Sequence, residues 1–175
     1  VLRPVYKALR PGEPDHDAAA LGPLLGEARE RLSAAAGRAI RIEVEPGRRL
    51  TAGMAALVTR VKDVKRTREN ARGPGHTFVM VDAGFNDLIR PALYGAYHHI
   101  EVVASPSGGA RSGASDPSAR PIEPCIVAGP LCESGDVFTR DAREFLDPRP
   151  LPRPMPGDLL IVQDVGAYGE AMASN

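Results

Sequence analysis

The sequence predicts an α+β chain that begins as the end of an α/β repeat and continues as a mainly antiparallel β barrel or sandwich. Three observations carry this. Residues 17–36 are rich in Ala, Leu, Glu and Arg, and Leu21, Leu24, Leu25, Ala28 and Leu32 recur at helical spacing. Residues 40–44 then read Ile-Arg-Ile-Glu-Val, alternating apolar and polar as a strand does, before the turn Glu45-Pro46-Gly47-Arg48. Beyond that turn come short β-branched runs at 55–64, 77–81, 100–103, 126–127 and 158–163, separated by turn residues.

The helix follows a lead punctuated by Pro4, Pro11, Gly12 and Pro14, with Asp15 or Asp17 available as its cap and Gly37 as its stop. Two connectors are low in complexity. Residues 105–121 are rich in Ser, Gly, Ala and Pro, and Pro148, Pro150, Pro152, Pro154 and Pro156 alternate with other residues. Both read as solvated loops, the second extended. Lys62, Lys65, Arg66 and Arg68 cluster at a strand end without interleaved aromatics. That pattern suits a charged guard on a strand edge better than a nucleic-acid patch.

Composition narrows the class. At 175 residues, 43% hydrophobic and 25% charged, the chain lies within the soluble globular range, as one domain or parts of two. Its 22 basic residues balance 22 acidic ones, so no bulk field favours nucleic acid or an anionic membrane. No stretch approaches the ~20 apolar residues of a membrane span, and no signal-peptide pattern opens the chain. A cytoplasmic location is expected. The sequence begins Val1-Leu2-Arg3-Pro4, without an initiating methionine, and is expected to be part of a longer chain. Cys125 and Cys132 are expected as free thiols, and nothing offers a metal cage. Cys125 sits inside a strand and is a core residue. His98 and His99 are adjacent, so their side chains diverge and make no joint metal site. Asn86 and Asp87 can cap a helix before Leu88.

Four segments carry chemistry. The first, Glu45-Pro46-Gly47-Arg48, follows a strand and precedes a run that can open as a helical turn, leaving backbone N–H groups near Gly47 to face an anion. Taken alone, a turn closed by a surface Glu–Arg pair explains it equally well. The second segment runs from Asp82 to His98 and contains Gly84, Asn86, Arg90, Tyr94 and Tyr97. If it is helical, Arg90 and Tyr94 share a face, one able to fork onto a carboxylate and the other to donate a hydroxyl. The third is Gly129-Pro130-Leu131-Cys132-Glu133-Ser134-Gly135-Asp136, a turn that exposes a thiol beside a carboxylate. In the fourth, Asp164-Val165-Gly166-Ala167-Tyr168-Gly169, a strand end presents a tyrosine between glycines.

In this order the four segments resemble the C-terminal half of diaminopimelate decarboxylases, pyridoxal-phosphate enzymes of the alanine-racemase-like fold class. The resemblance runs from about Ile42 to Asn175. It implies that residues 1–50 are the last helix and strand of a cofactor-binding (β/α)8 barrel. Residues 51–175 would be the β-rich C-terminal domain, stopping at Ala173-Ser174-Asn175 where relatives continue into further strands. By position, Glu45 would meet the pyridine nitrogen of pyridoxal 5'-phosphate, and Pro46, Gly47 and Arg48 would hold its phosphate. Arg48 would also face the substrate. Arg90, Tyr94 and Glu133 would receive the distal end of an amino-acid substrate, and Tyr168 would touch both cofactor and substrate. Cys132 would return the proton to the α-carbon from the partner subunit of a homodimer. The implied reaction converts meso-2,6-diaminopimelate to L-lysine and CO2. The lysine that holds the cofactor lies upstream in such enzymes, and Lys7, Lys62 and Lys65 match none of its contexts, so this segment alone is expected to be inactive. Two other readings compete: a decarboxylase of ornithine or arginine, whose members tend to pair the cysteine with Asp and need no counterpart of Arg90, and a non-catalytic regulatory paralogue.

Overall fold

A computed structural model describes residues 18–45, 47–69, 73, 75–104 and 116–174. Six strands build one sheet: β1 (Leu57–Arg66), β2 (Thr77–Val81), β3 (Ile100–Val103), β4 (Ile122–Ala128), β5 (Arg149–Pro152) and β6 (Leu159–Val162). Their order across the sheet is β3-β6-β1-β2-β4-β5. The two ends, β3 and β5, approach each other, which leaves a nearly closed barrel with few helices.

Period-two alternation places the core. Val61 of β1, Val79 and Val81 of β2, Ile100 of β3, Cys125 and Val127 of β4, Leu151 of β5 and Leu160 and Val162 of β6 all turn into one apolar cluster. Each such side chain contributes about 1.5–3 kcal/mol when fully buried. The core reading of Cys125 holds: it is fully buried, and burial pushes its thiol up to about 12. A single ladder carries β1 from Leu57↔Val162 to Arg60↔Leu159 against β6, and a bulge at Val61/Asp63 hands it on to β2. The barrel is clasped near the start of β4 and of β6 by Arg120 and Asp158, a buried ion pair whose side chains are 4% and 6% exposed.

The sheet is mainly antiparallel, as expected, and only β2 and β4 pair in parallel, Thr77↔Cys125 through Met80↔Ala128. Three expectations need correction. The alternating prolines are not all loop: Arg149–Pro152 forms β5, with Arg149 and Leu151 buried and Pro150 set opposite Pro124. Proline has no N–H to give a ladder, and it is tolerated here because β5 ends the sheet. Residues 40–44 are extended but have no ladder partner among the described residues, and the Ile40 amide donates instead to Ser33 Oγ at 3.0 Å. Asp87 caps no helix; its Oδ2 accepts from the Gly84 amide at 2.8 Å and closes a turn.

Helix α1 (Ala18–Ala36) forms where its periodicity places it and ends at Gly37, whose φ of +64 is the left-handed geometry glycine tolerates. The proposed caps Asp15 and Asp17 lie outside the described residues. His98 and His99 do diverge: one is buried, and the other reaches toward Glu101 at 3.6 Å.

Candidate functional site

Three stretches of backbone meet at one end of the barrel. After Glu45 the chain enters a 3-10 turn at Gly47–Leu50 and a second at Ala52–Met54 before β1 begins. Gly47 takes a positive φ of 59 with open space where a side chain would stand. From the other direction, the chain leaving β6 docks on this turn, since Val165 N donates to Ala55 O at 3.1 Å and Gly166 N to Ala52 O at 2.9 Å. A side chain on Gly166 would strike the carbonyls of Thr51 and Ala52, so only glycine permits the approach. The docked loop carries Tyr168, held at a positive φ of 64.

The third stretch is helix α2 (Arg90–Tyr94), closed by Gly95 in the left-handed conformation, whose amide donates to Pro91 O at 3.0 Å. Four-residue spacing puts Arg90 and Tyr94 on one face, as the sequence suggests. The Arg90 guanidinium lies 5.2 Å from the Tyr94 ring centroid and 5.8 Å from that of Tyr168. Arg90 is 9% exposed while the two tyrosines are 54% and 52% exposed, so the rings form an open rim over a sunken cation. Burial and then the charge of Arg48 lower the Arg90 pKa, and the two tyrosines oppose them. Arg90 Nε is buried without a hydrogen-bond partner among the described residues.

His98 belongs to the same constellation, and sequence reasoning missed it. Its Nδ1 is 2.9 Å from the Gln163 carbonyl. A carbonyl only accepts, so Nδ1 carries the proton. Nε2 faces the interior without a partner among the described residues. Burial lowers the His98 pKa, Arg90 and Arg48 add to this, and the Gln163 carbonyl and Asp164 oppose it. Asp164, raised by burial, is the acidic member of the group. No spacing rule would have found the pair, because the contact depends on β6 emerging beside residues 97–99.

The structure therefore brings Arg90, Tyr94 and Tyr168 together, with the charge of Arg48 near enough to act on Arg90. It does not bring Cys132 and Glu133 to them within one chain. Both are exposed on the loop after β4. Glu133 Oε1 accepts from the Gly135 amide and the Ser134 hydroxyl, each at 3.1 Å. The Gly135 amide and then the Ser134 hydroxyl, with Arg140 adding a smaller share, hold its carboxyl below the usual range. Glu45 is exposed, and Pro46 lies outside the described residues.

Over residues 35–166 the sequence matches the model of the pyridoxal-dependent decarboxylase C-terminal sheet domain. The chain belongs to that family. As the sheet domain of a pyridoxal-dependent decarboxylase, it is 46% identical over 152 residues to the diaminopimelate decarboxylase of Escherichia coli (strain K12), covering 87% of this chain and 33% of that protein. A crystal structure of diaminopimelate decarboxylase superposes with a TM-score of 0.77 at 40% identity, covering 97% of this chain and 37% of that one. The Helicobacter pylori diaminopimelate decarboxylase complexed with L-lysine superposes with a TM-score of 0.59 at 39% identity, covering 86% and 31%. The chain thus spans about a third of the length of the curated relatives it matches.

The residues of this sheet domain fit an anionic cofactor by their donor set. The charge of Arg48 acts on Arg90, and Gly47 has open space where a side chain would stand. Among the described residues no group of three or more His, Cys, Asp or Glu is placed to hold a metal ion, and no helix is long and apolar enough to cross a membrane.

Proposed function

We propose that this chain is the sheet-domain part of a cytoplasmic diaminopimelate decarboxylase, a carboxy-lyase that converts meso-2,6-diaminopimelate to L-lysine and CO2 in lysine biosynthesis. The observation that carries the reading is Arg90, a sunken guanidinium rimmed by Tyr94 and Tyr168 and unpaired at Nε. Such a group is an incomplete receptor. A carboxylate entering between the rings would accept a forked pair of hydrogen bonds from Arg90 and one from a tyrosine hydroxyl. Ornithine and arginine have no distal carboxylate to offer, whereas diaminopimelate does.

The remaining residues divide the work by charge. Pro46, Gly47 and Arg48 bind the phosphate of pyridoxal 5'-phosphate, and Glu45 faces the pyridine nitrogen. Arg48 also meets the substrate carboxylate. The cofactor, when bound, supplies the electron sink that makes loss of CO2 from an amino acid feasible. Tyr168 closes over cofactor and substrate together. Glu133 pairs the distal ammonium, and Cys132 delivers a proton to the α-carbon, a step within reach of a thiol near neutral pH. Cys132 and Glu133 act in the site of a second subunit of a homodimer, a reading supported by their exposure on the loop after β4. Residues 1–50 complete the barrel that holds the cofactor, and residues 51–175 form the β domain. Exposure of Leu21, Leu24 and Leu32 on α1 supports the first half of that division, since an apolar helix face calls for a covering layer.

The test is a CO2-release assay on the complete reading frame loaded with cofactor. Diaminopimelate should be turned over, with kcat/KM at least about 100-fold above those for ornithine and arginine, a ratio of the size that one unmet charged pair produces. A preference for ornithine or arginine would overturn the reading.

A further inference from the structure

The loop that bears Cys132 and Glu133 is held by a residue that the functional reading leaves unused. Asp136 is 3% exposed, and its two carboxylate oxygens face two different segments. Oδ2 accepts from the Leu131 amide at 2.8 Å, inside its own loop. Oδ1 accepts from the Phe85 amide at 2.7 Å, in the turn between β2 and α2. The base of the loop closes on the same residue, with Gly129 N donating to Asp136 O at 2.9 Å and Asp136 N to Glu133 O at 3.0 Å.

The turn it grips leads directly to the substrate group. Asp87 Oδ2 takes the Gly84 amide at 2.8 Å, and Asp87 N returns to Gly84 O at 2.9 Å. From Leu88 the chain runs into Ile89 and then Arg90, the first residue of α2. One buried carboxylate therefore links the Cys132 loop to the segment that sets Arg90 and Tyr94. Packing tightens the joint on both sides. A methyl group on Gly129 would fall on the Asp136 carboxylate, and one on Gly84 would stand 3.1 Å from Leu131.

We infer that Asp136 is a positioning residue for Cys132 and Glu133, fixing where that loop stands relative to Arg90. The inference rests on the decarboxylase reading of those residues. Its chemistry requires a carboxylate, because both oxygens receive an N–H. Asparagine would turn its own N–H2 toward one of the two amides and leave a buried donor unmet. Glutamate, one methylene longer, would push the loop away from Phe85. In the proposed homodimer the loop and α2 serve opposite sites, so this joint also relates the two sites to each other.

The experiment is a double-mutant cycle in the full-length, cofactor-loaded enzyme. Asp136→Asn and Gly129→Ala are each made in the wild-type and the Cys132→Ala backgrounds. Kinetics on diaminopimelate are recorded beside the visible absorbance of bound cofactor and the thermal unfolding curve. Displaced proton delivery predicts that either substitution lowers kcat at least about tenfold in the wild-type background and less than about threefold once Cys132 is gone, since there is then no thiol to position. Bound cofactor should stay near its wild-type level throughout. Equal fold losses in both backgrounds would mark Asp136 as a mere fold residue and overturn the inference. Should Asp136→Asn not accumulate as loaded protein, Gly129→Ala carries the same cycle, because it displaces the carboxylate without removing it. A Cys132→Ala enzyme with wild-type turnover would sink the functional reading and this inference together. Equal losses beside a slow Cys132→Ala enzyme would sink this inference alone.

Discussion

The guanidinium of Arg90 stands 5.8 Å from the ring centroid of Tyr168, although one residue opens α2 and the other lies in the loop after β6. A cation over an aromatic face contributes about 0.5–1 kcal/mol at an exposed site and about 2 kcal/mol when desolvated, and Arg90 is buried, so this contact both anchors the guanidinium and orients it. Its value lies in what the fork can hold. Arg90→Lys keeps the charge but replaces a planar fork by a point charge. In the full-length enzyme we expect KM for diaminopimelate to rise about 10- to 100-fold, equivalent to ~1.4–2.8 kcal/mol. Steady-state kinetics check it, and an unchanged KM would remove Arg90 from substrate recognition.

Glu133 makes a second, separable prediction. Its carboxyl is held low by the Gly135 amide and the Ser134 hydroxyl, so it is an anion throughout the neutral range and ready to pair an ammonium. Glu133→Gln keeps the size and removes the charge. The expected result is a KM for diaminopimelate raised about tenfold, the scale of one charge-assisted hydrogen bond, with cofactor occupancy unaltered. Kinetics paired with cofactor absorbance decide it, and equal loss of both would contradict a role confined to the distal end of the substrate.

Much of the fold was legible because burial imposes a short period. The β-branched runs at Thr77–Val81 and Ile100–Val103 are strands over those same residues. β5 was hidden because Pro150 and Pro152 look like loop residues, and only the sheet order shows that they occupy an edge where missing amides cost little. The parallel pairing of β2 with β4 was equally hidden, since alternation records which face of a strand is buried and not the direction of its neighbour. Within the site, the shared face of Arg90 and Tyr94 followed from helical spacing. Their meeting with Tyr168 did not, because it is produced by the amides of Val165 and Gly166 docking on the 51–55 turn. Only the likeness to a known family joined those segments in advance.

The clasp between Arg120 and Asp158 predicts a stability effect. Arg120 also donates to Arg153 O at 3.1 Å, and Asp158 Oδ2 accepts from the Met155 amide at 2.8 Å, so the pair ties the entries of β4 and β6 together. Arg120→Ala would leave a carboxylate buried beside its vanished partner. The expected loss is about 3–5 kcal/mol, measured by denaturant unfolding of the full-length protein. The double substitution Arg120→Met with Asp158→Leu should recover part of it, because desolvation offsets much of what a buried ion pair gains. A loss below about 1 kcal/mol for Arg120→Ala, the range of exposed pairs, would show that the clasp is solvated.

His98 sets a pH dependence whose sign can be worked out. Burial, with Arg90 and Arg48, holds its folded pKa below the ordinary value of about 6.5, while the Gln163 carbonyl and Asp164 pull the other way without winning. Between the depressed folded value and about 6.5, the unfolded chain binds more protons than the folded one, so stability rises with pH across that window. It is complete above the unfolded value and declines as pH falls below it, where a protonated imidazole would join two guanidiniums. Asp164 acts in the opposite sense. Its folded pKa is raised by burial, against the pull of His98 and His99, so its contribution falls as pH rises from its unfolded value of about 3.9 toward the raised one. Denaturant unfolding of the full-length protein between pH 5.5 and 7.5 should therefore show a positive slope. His98→Gln should flatten that slope and Asp164→Asn should leave it or steepen it. A His98→Gln protein with the wild-type slope would mean that His98 is not the group that titrates.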